Sequence, residues 1–221
     1  MKNINTSEYW DNRFSSGDWE DKKGRKQTAD FAREQVVRLG LPKSFSGTIL
    51  DFGCGLGDAM PVYKKFFPQA RLIGLDHSKE AIEKCRQNYS HYASFIHGNV
   101  DNVPPADVII SSNVFEHLTN DVDMARRLGA KCRRLFITVP YKETIQSQEQ
   151  NEHVNTYDED SFSELLCLRR EIFASKGLGR KSWWGVLYHV WVKNIFRFII
   201  RGKIWAYTHP REIMFEIQGS L

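Results

Sequence analysis

Between residues 46 and 140 the chain alternates short apolar runs with longer mixed segments. "TILDFG", "ARLIGLD", "YASFIHG", "ADVIISSN" and "RRLFITVP" each read as a buried strand. "LGDAMPVYKKFF", "SKEAIEKCRQNY" and the stretch through "DVDMARRLGAKC" read as helices, the second capped by Ser78. Strands that alternate with helices predict βαβ crossovers, and hence a parallel sheet covered on both faces.

The flanks follow other patterns. "TSEYWDNRF" predicts a short aromatic helix with its N-cap at Thr6 or Ser7. In "RKQTADFAREQVVRLGL", the positions of Phe31, Val36, Val37 and Leu39 predict a helix that ends near Gly40 and Pro42. After Pro140, "YKETIQSQEQNEHVNTY" reads as a long polar loop, "DEDSFSELL" as a short capped helix and "CLRREIFAS" as a strand. "REIMFEIQ" alternates and predicts a last strand. Between these two strands, residues 183–205 predict a helical insertion. In it His189, Lys193, Arg197 and Arg201 recur every four residues on one face, with Trp184, Leu187, Tyr188, Trp191, Ile195 and Phe198 over the rest.

Composition adds limits. The 221 residues are 41% hydrophobic and 26% charged, as in an ordinary globular domain rather than a disordered chain. The N-terminal segment lacks the apolar core of a signal peptide, and no run of about 18 uncharged apolar residues predicts a membrane span. Cys54, Cys85, Cys132 and Cys167 form no CxxC pair, so reduced thiols in a cytoplasmic protein are expected. From residue 176 onward there are 8 Lys/Arg against 2 Asp/Glu, whereas the first 175 residues hold 23 against 25. That asymmetry bears on partners more than on fold.

The chemistry begins at "ILDFGCGLGDAM", where Gly53, Gly55 and Gly57 follow the first strand. A glycine turn between strand and helix lets backbone approach a ligand closely. The dinucleotide fingerprint G-x-G-x-x-G is out of register here, since Asp58 and Ala59 follow Gly57. Asp51 at the head of the loop suits a ligand with positive charge, not a pyrophosphate. Asp76 ends the second strand, where an acid can accept both hydroxyls of a ribose. The ligand expected is a nucleoside with a cationic end and no diphosphate, and S-adenosylmethionine fits that description.

"ILDFGCGLGDAMP", "RLIGLDHSKEAIEKC", "HGNVDNVP" and "ADVIISSNVFEHL" occur in that order. Together they resemble class I S-adenosylmethionine-dependent methyltransferases. The resemblance implies a Rossmann-like α/β fold, a seven-stranded, mostly parallel sheet with helices on both faces, here with a helical insertion before the last strand. It implies one domain, 1–221: a helical cap over 1–45, a cofactor-binding core over 46–140, and a substrate-side region over 141–221 whose apolar, basic insertion spans about 176–209. It implies that Asp51, Gly53, Cys54, Gly55 and Gly57 line the methionine part of S-adenosylmethionine. Asp76 would hold the ribose, with His77 beside the adenine. Asn99 and Val100 match the position of an Asp that contacts the adenine amine, and the Asn99 side-chain oxygen can still accept. Asn113 would face the amino-acid end. Cys54 itself reads as a small packing residue.

On the acceptor side, "NVFEHL" puts Glu116 and His117 after the fourth strand, and His117 is a base candidate or an orienting group. His153 is a second catalytic candidate, and Tyr141 and Tyr157 could flank an acceptor pocket. Some quinone-pathway relatives bind a metal through an acid, Glu and His in this segment. Asn113 stands in the first acid's place, leaving two ligands, so no metal is expected. "SSNVFE" lacks both the Asn-Pro-Pro-aromatic run of base-amine methylation and a Cys nucleophile for cytosine C5 chemistry.

The leading expectation is O-methylation of a small molecule or of a lipid-linked or surface-glycan precursor. Alternatives are N-methylation of a small amine, RNA modification, or a cofactor-binding partner protein without activity. The basic apolar stretch suits a lid, a homodimer contact or a peripheral membrane contact at the inner face of a membrane, and no recognised module supports nucleic acid.

Overall fold

Burial on both faces follows from what the strand sequences contain. In β1 (Thr48–Phe52), Ile49 and Leu50 are both buried, and neighbours in sequence join separate apolar clusters on opposite faces of the sheet. The computed structural model describes residues 6–143, 153–179, 182–202 and 209–221, without the side chains of Trp183, His189 and Arg201. The polar loop over 144–152, the end of the predicted insertion at 203–205, and two members of its basic stripe, His189 and Arg201, thus lie outside the described residues.

Three helices precede the sheet: α1 (Ser7–Ser15), capped by Thr6, α2 (Asp18–Asp21) and α3 (Gly24–Val36). α3 stops at Val36, short of the expected Gly40, which stands four residues on at φ 62°. The core then runs β1, α4 (Met60–Phe66), β2 (Arg71–Asp76), α5 (Lys79–Tyr89), β3 (Ser94–His97), β4 (Ala106–Ser112), α6 (Asp121–Gly129) and β5 (Cys132–Pro140). Next come β6 (Cys167–Ala174), α7 (Trp183–Leu187), a π-helical turn (Tyr188–Lys193), α8 (Asn194–Arg201) and β7 (Arg211–Gln218).

The seven strands lie in the order β3-β2-β1-β4-β5-β7-β6. β1 to β5 pair in parallel, and β7 runs antiparallel to both its neighbours. The order reverses between β1 and β4, and the crevice beyond their carboxyl ends is where such sheets bind ligands. The closing strand does not stand at the sheet edge. Instead β7 is inserted between β5 and β6, which suits its burial along Glu212–Ile217. β6 takes the edge, and its alternating exposure and charges, Arg169, Arg170 and Glu171, suit an unpaired border.

"DEDSFSELL" forms turns rather than a helix. The Asp158 carboxylate accepts from the Asp160 N–H and the Ser161 hydroxyl, and Phe162 takes φ 57°. Local side-chain acceptors of this kind compete with helix formation. The turn seats Phe162 against Tyr157, whose rings stack with centroids 5.5 Å apart.

Tyr157 is a strut, not the pocket wall expected. It is buried, and its hydroxyl lies 2.8 Å from the Phe115 carbonyl and 2.9 Å from the Asp121 carboxylate. Asn155 donates to the Phe115 and Leu118 carbonyls, and the Val154 N–H donates to the Glu116 carbonyl at 2.7 Å. These bonds stitch the segment after β5 to the 3-10 turn Phe115–His117 that follows β4. Tyr157→Phe leaves a buried carbonyl with one donor fewer, and should lower unfolding free energy by about 1–3 kcal/mol. Urea denaturation should show a lower midpoint at an unchanged slope.

Candidate functional site

The glycine loop is shaped by where its amides point. Gly53 and Cys54 donate to the Leu75 carbonyl at 2.8 and 3.1 Å, Gly55 to the Asp76 carboxylate at 2.8 Å, and Gly57 to the Cys54 carbonyl at 2.9 Å. These N–H groups are spent inside the protein, so the loop is no phosphate cradle. Gly53 has φ 78°, and a Cβ there would meet Val114 Cγ2 at 2.4 Å. Glycine at this position lets the loop pass under the turn after β4 and bring backbone close to the cavity.

Of the predicted cofactor residues, Asp51, Gly53, Cys54, Gly55, Asp76, His77, Asn99, Val100 and Asn113 all line one cavity of about 1170 Å³, its open mouth included. His117 lines it too. Gly57 does not: it sits behind the loop, where a Cβ would meet Cys85 Sγ at 2.9 Å, so its role is packing. Cys54 is buried, and its thiol is pushed well above the ordinary range by the Cys85 thiol and by burial, as befits an inert packing group.

The electrostatics are one-sided. Asp51 and Asp76 are buried in the wall, which holds no Lys or Arg among the described residues. Burial, and then the Asp76 charge, push the Asp51 carboxyl up to about 7. Burial raises Asp76 too, while the Ser78, His77 and Gly55 amides favour its charged form. Such a wall does not suit a pyrophosphate. It does suit a ligand with a positive charge near Asp51 and hydroxyl donors for the free lone pairs of Asp76, so the residues present fit S-adenosylmethionine. Asn99, in the cavity wall, also has a local structural role. Its side-chain oxygen already accepts from the Asp101 N–H, capping the 3-10 turn Val100–Asn102.

The cavity's outer wall comes from the N-terminal helices, whose residues the sequence reading left unassigned. Trp10, Phe14, Trp19 and Phe31 line it, and Trp10 packs on Phe14 with ring centroids 5.6 Å apart. The i,i+4 spacing of Trp10 and Phe14 in α1 was the available signal.

At the far end Asn113 takes φ 53°, a left-handed conformation that asparagine tolerates better than most residues. Its amide donates to Glu212 at 2.9 Å, and Glu212, buried in β7, is pushed up to about 7 chiefly by that burial. A second cavity adjoins the first through Trp10, Trp19, Phe31, Asn113 and His117. Glu116 and His153 line it. The His117 and His153 rings cross with centroids 4.8 Å apart, and His153 Nδ1 lies 2.5 Å from the Glu143 carboxylate. Glu143 and Glu212 had no signal in the sequence, because each reaches the site through pairing of distant segments. Tyr141 lines neither cavity; Arg211 lies over its ring at 4.6 Å.

The helical insertion before β7 is present. Trp184, Trp191, Phe196, Ile199 and Ile200 on it are each more than 60% exposed. Leu178, on the chain leading into it, lines the second cavity.

Residues 49–135 match the protein family described as a methyltransferase domain. Trans-aconitate 2-methyltransferase of Afipia carboxidovorans is 31% identical over 101 residues, 44% of this chain and 38% of that one. Malonyl-[acyl-carrier protein] O-methyltransferase of Halalkalibacterium halodurans is 34% identical over 89 residues, 36% of this chain and 33% of that one. The chain thus spans less than two-fifths of the length of these relatives. A chain from the complex between the Haloferax volcanii Trm112 methyltransferase activator and a methyltransferase shares the fold, with a TM-score of 0.69 at 16% identity over 96% of this chain and 98% of that one.

Asp51 gives the ligand-free protein a pH signature. Its carboxyl titrates near 7 when folded against a reference of 3.8, so over that interval the folded state holds a proton that the unfolded chain has lost. Its contribution to stability therefore falls as pH rises from about 4 to 7, then stays low. Asp51→Asn should remove that descent. Thermal unfolding without ligand should find variant and parent alike near pH 4, and the variant more stable at pH 8 by on the order of a few kcal/mol.

Proposed function

We propose that this chain, whose residues 49–135 match a methyltransferase domain, is a class I S-adenosylmethionine-dependent methyltransferase that transfers a methyl group to an oxygen of a small acceptor. The observation that carries the reading is the acidic wall formed around Asp51 and Asp76, which holds no lysine or arginine among the described residues. S-adenosylmethionine, when bound, supplies an electrophilic methyl group on a sulfonium. Asp76 would accept the ribose hydroxyls, and Asp51 would stand beside the cationic amino-acid end. Val100 and Leu75 offer apolar surface for the adenine, with His77 and Asn99 at its edge.

An in-line displacement needs donor and acceptor held in register, and the leaving thioether needs no acid. The protein's work therefore falls on the acceptor. Asn113, His117 and His153 stand at that end, and we assign the two histidines to positioning the acceptor's nucleophilic atom, directly or through an ion they hold. Trp10, Phe14 and Trp19 cover the cavity and would exclude water from the transfer. Oxygen as the reacting atom is supported by the relative named as an O-methyltransferase.

A lipid-linked or surface-glycan precursor is supported by the insertion. Its apolar residues Ile195, Phe196, Phe198, Ile199 and Ile200 are exposed over a broad face of α8, beside exposed Lys193 and half-buried Arg197. No helix among the described residues is long and apolar enough to cross a membrane. Bulky apolar side chains with basic neighbours suit a helix lying on an anionic lipid surface, which would bring a lipid-linked acceptor to the cavity mouth.

Calorimetry with S-adenosylhomocysteine tests the first reading. The parent should bind, and Asp76→Ala should weaken binding by about 1.5–3 kcal/mol, roughly ten- to a hundredfold. The parent should also methylate members of a panel of small hydroxy and carboxylic acids. A parent that binds neither form of the cofactor overturns the assignment. For the insertion, replacing Lys193 and Arg197 with Gln should reduce sedimentation with anionic liposomes by about 2 kcal/mol, with S-adenosylhomocysteine affinity unchanged. Equal sedimentation of variant and parent would rule out the lipid contact.

A further inference from the structure

We propose that Glu116, His117 and His153 bind one divalent transition-metal ion where the two cavities meet. The ligand-bearing atoms of these three side chains lie within 4.8 Å of one another. The expectation of no metal rested on a count of two ligands in "NVFEHL". The fold supplies the third, His153, from a segment 36 residues on. Its place is set by backbone: the Val154 and Asn155 N–H groups both donate to the Glu116 carbonyl, at 2.7 and 3.2 Å.

Three further observations point to a cation. Glu116 is 1% exposed, and its Oε2 has no hydrogen-bond partner. A buried carboxylate with an open oxygen needs a proton or a positive charge. The carboxylates of Glu143 and Glu212 add to the negative field at Glu116. The third observation is the Glu143 contact with His153 Nδ1 at 2.5 Å. A carboxylate on one ring nitrogen fixes the tautomer and leaves Nε2 as the lone-pair atom, the arrangement that supports metal-ligating imidazoles.

Two imidazoles and one carboxylate make an N₂O donor set. It suits Zn²⁺, Mn²⁺ or Fe²⁺ better than Mg²⁺ or Ca²⁺, which prefer all-oxygen shells. Ligands about 2.0–2.2 Å from an ion sit roughly 3–3.5 Å apart in adjacent positions, so the side chains close by roughly an ångström on binding. Three protein ligands leave positions open for the oxygen of an acceptor. The ion would orient that oxygen and ease loss of its proton to solvent. This last role rests on the methyl-transfer reading; the site itself does not.

The test uses the untagged full chain, stripped with a chelator and titrated with ZnCl₂ or MnCl₂ alone by calorimetry. One equivalent should bind. Glu116→Gln and His153→Ala should each weaken binding at least a hundredfold, and Glu143→Gln ten- to a hundredfold through the lost orientation of His153. His153→Ala, at a partly exposed loop position, keeps the test open if Glu116→Gln misfolds. The Co²⁺-loaded parent should show visible absorption bands that His153→Ala abolishes. No stoichiometric binding by the parent, or equal binding by folded His153→Ala and parent, overturns the proposal. S-adenosylhomocysteine titrated into the stripped protein separates the two readings. Binding of that ligand without metal binding removes the metal site alone, and the converse removes the methyltransferase reading alone.

Discussion

One buried carboxylate, Asp76, holds the binding half of the molecule together. It accepts from the Gly55 N–H and the Ser78 N–H, both at 2.8 Å, and so fastens the glycine loop to the junction of β2 and α5. Ser78 accepts from the Ala81 N–H to cap α5, and donates to Asp11 of α1 at 2.6 Å. Asp11 in turn accepts from the Glu80 N–H. Loop, strand end, helix start and N-terminal cap are thereby tied through three side chains, Asp76, Ser78 and Asp11. Hydrogen bonds to a charged acceptor are worth more than neutral ones, and here they offset part of the cost of burying the charge.

The same stretch of the molecule carries a charge problem that a ligand would relieve. Asp51, Asp76, Glu116 and Glu212 are all buried along the carboxyl edge of the sheet. Burial raises the carboxyl pKa of each. A protein selected for stability alone would place apolar groups there. Retained acids at a topological switch point mark a site where folding stability is given up to hold positive charge and hydroxyl donors.

Acceptor-side geometry depends on a different kind of bond. Backbone donors from Val154 and Asn155, the Asn155 amide and the Tyr157 hydroxyl all converge on the turn Phe115–His117. Each is modest alone, but together they leave little freedom to the position of His153 relative to His117. The Trp10 ring, 5.5 Å from the His117 ring, closes the arrangement from the N-terminal side. Acceptor and cofactor ends are thus built by three segments far apart in the chain, around one parallel sheet.

The sequence by itself determined the parts that depend on local chemistry. Buried strands, their helices, the Thr6 and Ser78 caps, and the glycine turn with Asp51 and Asp76 at its flanks all rest on residues within one or two turns of each other. The tertiary structure alone decided the rest. It slid β7 between β5 and β6, because that strand is apolar enough to be buried on both faces whereas β6 is not. It turned the loop amides inward, reduced Gly57 to packing, made Tyr157 a strut and melted "DEDSFSELL" into turns. It also brought His153, Glu143 and Glu212 to Glu116 and His117. Those outcomes depend on hydrogen bonds and contacts between segments tens of residues apart, and no periodicity or spacing along the chain encodes which distant partner a side chain will meet.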